Sequence, residues 1–226
     1  MKKTVYISVL ILTVLLISCK KEKNTDDKKE SNEVIKEIAV VESLDTLKLV
    51  AWRSKLAWRG FALNKSHTGI VKIDSGYIAL NDLKEIKAGE FFINMNSISV
   101  VDLKGQEKIT LENHLKGTDL GKEDHFFNVK KYPIAKFVVT DNYKEESISY
   151  LEGNLTIKGV EDIVEGFPIV IEETDGILLL KAANFKIDRT DWGITYNSIT
   201  FFDDLKDKVI KDEMVINISA AFAINK

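Results

Sequence analysis

Residues 213–224 read Glu213-Met214-Val215-Ile216-Asn217-Ile218-Ser219-Ala220-Ala221-Phe222-Ala223-Ile224. Met214, Ile216, Ile218, Ala220, Phe222 and Ile224 share one parity. Successive side chains of a strand point to opposite faces, so this stretch is a strand with a continuous apolar face. The same period recurs upstream. Leu151, Gly153, Leu155 and Ile157 alternate with Glu152, Asn154, Thr156 and Lys158, a half-buried strand with one wet face. Phe91, Ile93 and Met95 make another apolar face, and Phe167, Ile169 and Ile171 another. Ile177, Leu179, Ala183, Phe185 and Ile187 share a parity that Lys181 interrupts.

Turn signals separate these runs at Asp74-Ser75-Gly76, Asp102-Leu103-Lys104-Gly105 and Asp175-Gly176. The chain has two prolines, Pro133 and Pro168, and both are expected near strand starts, where a missing donor is tolerated. Ile109, Leu111 and Leu115 break the period of two and predict a helix over roughly residues 106–116. Many antiparallel strands with one helix point to a closed barrel, which also removes exposed sheet edges.

Upstream of this body the composition changes. Lys2 and Lys3 precede an apolar run from Val5 to Ile17, which has the layout of a signal peptide. The run is shorter than the ~20 residues a spanning helix needs. It ends in Leu16-Ile17-Ser18-Cys19, which resembles the bacterial lipobox, and Cys19 is the chain's single cysteine. Acylation there would consume a thiol that has no disulfide partner. Residues 20–32 contain no apolar side chain and predict a flexible tether. Val34, Ile38 and Val41 have helical spacing in an otherwise linker-like stretch. The expected organisation is residues 1–18 as signal peptide, 19–46 as lipidated cysteine and tether, and 47–226 as the barrel.

Charge excludes one class of partner. The chain carries -3, and losing Lys2 and Lys3 with residues 1–18 moves it to -5, unlike the basic surfaces that read nucleic acid. The three histidines, His67, His114 and His125, stand in no recognised metal or catalytic spacing. They are expected to form hydrogen bonds at the helix–barrel contact or to lie at the surface. Asp188-Arg189-Thr190-Asp191-Trp192 offers either a head-group site at the pore mouth or a turn whose arginine pairs locally, and the turn is the simpler reading. Phe126-Phe127 and Phe201-Phe202 each supply either a gate or a core ring beside a loop ring.

Several segments in order resemble the YceI-like family, lipocalin-like polyisoprenoid-binding proteins, in the form common among Bacteroidetes lipoproteins. They are Trp58-Arg59-Gly60, Ser66-His67-Thr68-Gly69, Gly89-Glu90-Phe91-Phe92-Ile93-Asn94-Met95, Asn113-His114-Leu115-Lys116 and Phe126-Phe127-Asn128-Val129. Tyr132-Pro133-Ile134-Ala135-Lys136-Phe137, Gly153-Asn154-Leu155-Thr156-Ile157-Lys158-Gly159, Ile187-Asp188-Arg189-Thr190 and Phe201-Phe202-Asp203-Asp204-Leu205 follow. The connection Gly117–Asp124 is several residues longer than in the shortest members.

The resemblance implies an all-β fold, an antiparallel eight-stranded lipocalin-like barrel with one short helix at one end. It also implies a long apolar pore for a polyprenyl lipid or isoprenoid quinone. Periodicity alone leaves open whether the barrel is hollow or filled. Together parity and resemblance nominate Trp58, Phe91, Ile93, Met95, Leu115, Phe137, Leu155, Phe185, Ile218 and Phe222 as ligand contacts. No catalytic or metal-binding residue is nominated, and no cofactor beyond the lipid itself.

The expected function is a membrane-tethered envelope lipoprotein that stores or carries a long isoprenoid or similar chain. The expected location is the outer membrane, facing the periplasm, with a homodimer left open. The alternatives are a solid barrel that binds a partner on its outer face, or an enzyme acting on a held lipid.

Overall fold

In the computed structural model the described residues are 44–224. The signal-like run, Cys19 and the tether up to residue 43 lie outside them. The strands follow the alternation: β1 (Asp45–Lys48), β2 (Lys55–Phe61), β3 (Ser66–Leu80), β4 (Ile86–Val100), β5 (Ile134–Glu145), β6 (Ile148–Ile157), β7 (Val160–Thr174), β8 (Ile177–Asp188) and β9 (Glu213–Ala223). Among the described residues there is one α-helix, α1 (Gly105–Lys116), between β4 and β5, as its spacing predicts.

All pairings are antiparallel, and β9 returns to β2, closing a barrel of eight staves. The eighth stave is broken in two. β1 pairs with Tyr77–Leu80 of β3 and β2 with Ser66–Lys72 of the same strand. A 3-10 turn at Ala51–Arg53 separates them. The Ser54 hydroxyl bridges the break, donating to the Val50 carbonyl and accepting from the Ala221 N–H. The barrel thus begins at Asp45, and the last two residues of the expected tether belong to it.

The two ends differ. One end carries β1 and the β3–β4, β5–β6 and β7–β8 hairpins. There Leu47, Ile78, Leu80, Ile86, Leu178 and Phe222 form a solid plug, none more than 7% exposed. The other end carries the β2–β3 hairpin, α1 and the long connection 189–212. Helix α1 is strapped to the end of β4 by Glu112, which accepts hydrogen bonds from the Val100 N–H and the Ser99 hydroxyl. Burial pushes that carboxyl up, but these two bonds and nearby Lys108 outweigh it and hold it below the ordinary value. The helix stops at Gly117, whose φ of +69° suits a residue without Cβ.

Three expectations need correction. Asp74-Ser75-Gly76 lies inside β3 and separates no strands; β3 shifts register against β4 between Ile73 and Ser75 there. In β8 the inward residues of the first half are Leu178, Leu180 and Ala182, not Ile177, Leu179 and Ala183. The register jumps between Ala182 and Phe185, with Asn184 at φ +55°. One inserted residue flips the faces, so the odd parity holds only from Phe185 onward. Pro168 stands in mid-strand in β7, not at a start. It is tolerated because the β7–β8 ladder begins only at Ile169↔Ala182, so Pro168 has no ladder partner in β8.

Towards the open end β7 and β8 therefore part. Phe167 and Phe185 stack across the gap at 4.4 Å between centroids. Beyond them lies a 3-10 turn, Arg189–Trp192. Its buried Trp192 donates an indole N–H to the Leu155 carbonyl at 2.7 Å.

Candidate functional site

Above the plug the barrel is hollow. A cavity of about 510 Å³ runs from Phe91, Leu151, Leu180 and Ala220 to the open end. Nine of the ten nominated residues line it: Trp58, Phe91, Ile93, Met95, Leu115, Phe137, Leu155, Phe185 and Ile218. Phe222 does not line it. Its ring lies edge-on to Phe91 at 6.0 Å and is fully buried in the plug. Parity assigns a residue to a face, but not to a depth along the barrel axis.

The wall is held by close approach of backbone and ring. Trp58 faces Gly69 across the β2–β3 ladder, and any Cβ at Gly69 would collide with the indole and the Ser99 carbonyl. Glycine there lets the indole lie flat against the neighbouring strand. Phe137 lies against Gly153 in the same manner. Phe91, Phe137, Phe167 and Phe185 then form a chain of ring contacts 4.4–6.3 Å apart around the wall. Among the described residues no buried side-chain polar atom lacks a partner, and the polar side chains on the cavity, among them Lys65, Tyr196, Asn197 and Lys208, lie at its open end.

The rim comes from elements with weak periodic signals. Leu111 and Leu115 of α1, Phe126 and Phe127 after it, and Tyr196 and Ile210 of the 189–212 connection all line the cavity. His114 Nε2 lies 2.9 Å from His125 Nδ1, and His125 stacks on Tyr196 at 4.0 Å. His114 also meets Phe126 edge-on at 5.1 Å. This cluster fastens α1 to both rim loops. His67 lines the rim and lies 3.0 Å from Asp102. Burial raises the Asp102 carboxyl, and the hydrogen bonds from Thr68 and His67 more than offset it. Phe201 and Phe202 are both exposed, so neither is a core ring. Among the described residues no group of three or more His, Cys, Asp or Glu could hold a metal.

Arg189 resolves in favour of the turn. Its guanidinium donates to the carbonyls of Lys211, Ile194 and Ile210 at 3.2, 2.6 and 3.0 Å, and to Asp212 Oδ1 at 3.1 Å. Asp212 Oδ2 in turn accepts from the Ser198 and Thr200 hydroxyls, each at 2.8 Å. This network fixes the course of the rim loop.

The His114 pair gives stability a pH dependence. Burial holds the His114 pKa below its ordinary 6.5, and the charges of His125 and Lys122 add to the effect against Asp119. A lowered folded pKa means that the folded state binds fewer protons than the unfolded state between the two values. The contribution is therefore complete above about pH 6.5 and is lost as pH falls through the lowered value. The melting temperature of the wild type should fall more steeply on acidification than that of His114→Gln. Parallel curves would show that the pair contributes nothing.

The sequence model of the YceI-like domain matches residues 48–222. The chain belongs to the YceI-like family. Solved structures agree on the fold. BcnA from Burkholderia cenocepacia is 19% identical with a TM-score of 0.58, covering 75% of this chain and 96% of that one. A polyisoprenoid binding domain from Saccharophagus degradans, implicated in plant cell wall breakdown, is 12% identical with a TM-score of 0.56. That match covers 81% of this chain and all of the other. No curated protein matches the chain. In this YceI-like barrel the motifs that carried the resemblance fall at the Trp58–Gly69 contact, the phenylalanine wall, the histidine cluster and the Arg189 turn.

Proposed function

We propose that this chain is an envelope lipoprotein, acylated at Cys19, whose barrel holds a long isoprenoid or similar lipid chain without reacting with it. The supporting observation is the apolar cavity of about 510 Å³ in a YceI-like barrel. Each buried methylene gives about 0.8 kcal/mol gross, so affinity needs no ion pair.

A carrier or storage role at the outer membrane, on its periplasmic side, accords with a cavity whose deep wall is apolar. The polyisoprenoid-binding description of the Saccharophagus degradans domain supports the ligand class. The hollow interior weighs against the solid-barrel alternative.

Mass spectrometry of an organic extract of protein purified from its native host tests the ligand. A prenyl or acyl lipid in near-stoichiometric amount is expected, and an empty extract overturns the reading. For the anchor, Cys19→Ser should wash off membranes. Retention of that variant, with unprocessed wild type accumulating, would remove the lipoprotein assignment.

A further inference from the structure

We propose that the open end of the barrel docks on a lipid bilayer, with Leu63, Ile199, Phe201 and Phe202 as the side chains that enter it. The inference rests on the reading of the cavity as a lipid site and adds where the lipid is exchanged. These four side chains are 54, 68, 54 and 48% exposed. They stand on two connections that form one surface. Ala62 pairs with Ile210, the Leu63 N–H donates to the Val209 carbonyl, and the Lys211 N–H donates to the Phe61 carbonyl. The same connections give Ala62 and Ile210 to the cavity rim. Large apolar side chains gathered in water around the mouth of an apolar cavity mark an interaction surface.

The surrounding charges fit a bilayer surface. Lys65, Lys208 and Lys211 also line the rim, and none belongs to an ion pair among the described residues. Lys211 rests over the Phe61 ring at 5.7 Å. Asp203, Asp204 and Asp207 in the same loop leave the rim close to neutral, so attachment is apolar first. Phenylalanine and leucine beside lysine is the composition that sinks into the boundary between head groups and chains. A lipid that moves between a bilayer and this cavity through water would expose its whole chain, and contact between rim and bilayer avoids that exposure.

The chain outside the barrel permits the contact. Asp45 pairs with Leu80, so the first strand of the barrel starts at the plugged end, opposite the mouth. Residues 19–44 span at most about 86–94 Å. The 15-residue β3 is about 50 Å long. A barrel anchored at Cys19 can therefore turn its mouth to the anchoring bilayer. Docking by four side chains is reversible, so Cys19→Ser protein still washes off.

The test uses full-length protein, processed and acylated in its host, on phosphatidylcholine–phosphatidylglycerol vesicles containing spin-labelled lipid. Acylation blocks Cys19, so an introduced cysteine is the sole free thiol. If Cys19 proves unacylated, it is replaced by serine and the vesicles are added in excess. A fluorophore is placed at the mouth by Asn64→Cys or at the plugged end by Asp82→Cys. Quenching at position 64 but not 82 is expected. It should be lost when Ile199→Ser, Phe201→Ser and Phe202→Ser are combined, with the melting temperature unchanged. Equal quenching at both positions, or none at 64, overturns the docking. A preparation that carries lipid but shows no quenching at 64 overturns the docking alone. Quenching at 64 with an empty extract keeps the docking and overturns the lipid reading.

Discussion

Replacing Arg189 by leucine is expected to cost about 3–5 kcal/mol, the usual penalty for removing one partner of a buried ion pair. The guanidinium is 3% exposed and makes every one of its hydrogen bonds within the chain described above. Leucine would leave three carbonyls without their donor and the Asp212 carboxylate without its cation. The Ser198 and Thr200 hydroxyls still reach Asp212, but they bring no charge. Chemical denaturation of the purified protein measures the loss. Arg189→Lys should lie between wild type and leucine, because an ammonium keeps the charge but not the planar fork. A loss of under about 1 kcal/mol, the size seen for an exposed pair, would mean that the network does not hold the rim loop.

Ala220→Phe should have the largest effect on binding and little effect on stability. Ala220 is 1% exposed, lines the cavity and pairs with Leu180 across the β8–β9 ladder. It lies between the Phe91 wall and the plug, at the deep end of the hollow. A phenyl ring there takes space from the cavity as well as from the atoms that bury Ala220, so only part of the overpacking penalty of about 1–3 kcal/mol is expected. The variant should lose little melting temperature and carry shorter or fewer lipid chains in a native extract. A variant that loses stability, from a wild type whose extract is empty, would indicate a filled interior and overturn the carrier reading.

What could be read before the structure depended on how each signal is encoded. β9 runs without an internal break through its inward residues, so its alternation named the wall correctly from Met214 to Ala220. β8 carries a bulge at Asn184, and a backbone insertion leaves no apolar signature, so parity misassigned Ile177, Leu179 and Ala183. Phe222 was assigned to the right face at the wrong depth. Leu155 and Phe91 lie on strands paired over many residues, and for them face and depth coincided. Tyr196 and Ile210 escaped notice because an irregular connection has no period. Their positions are set by Arg189, whose partners lie 5 to 23 residues away in sequence. The broken stave was hidden for a similar reason: β1 has four residues, too few to show alternation against a linker.

The plug at the closed end has a consequence for how such a protein can change over generations. Leu47, Ile78, Leu80, Ile86, Leu178 and Phe222 pack without touching the cavity, so part of the core is buried where no ligand would go. Substitutions around Met95, Leu115 or Phe127 alter the hollow without disturbing the plug. The shape of the hollow can therefore vary while the plugged end is inherited unchanged, with the Arg189 network keeping its own share of the stability at the open end.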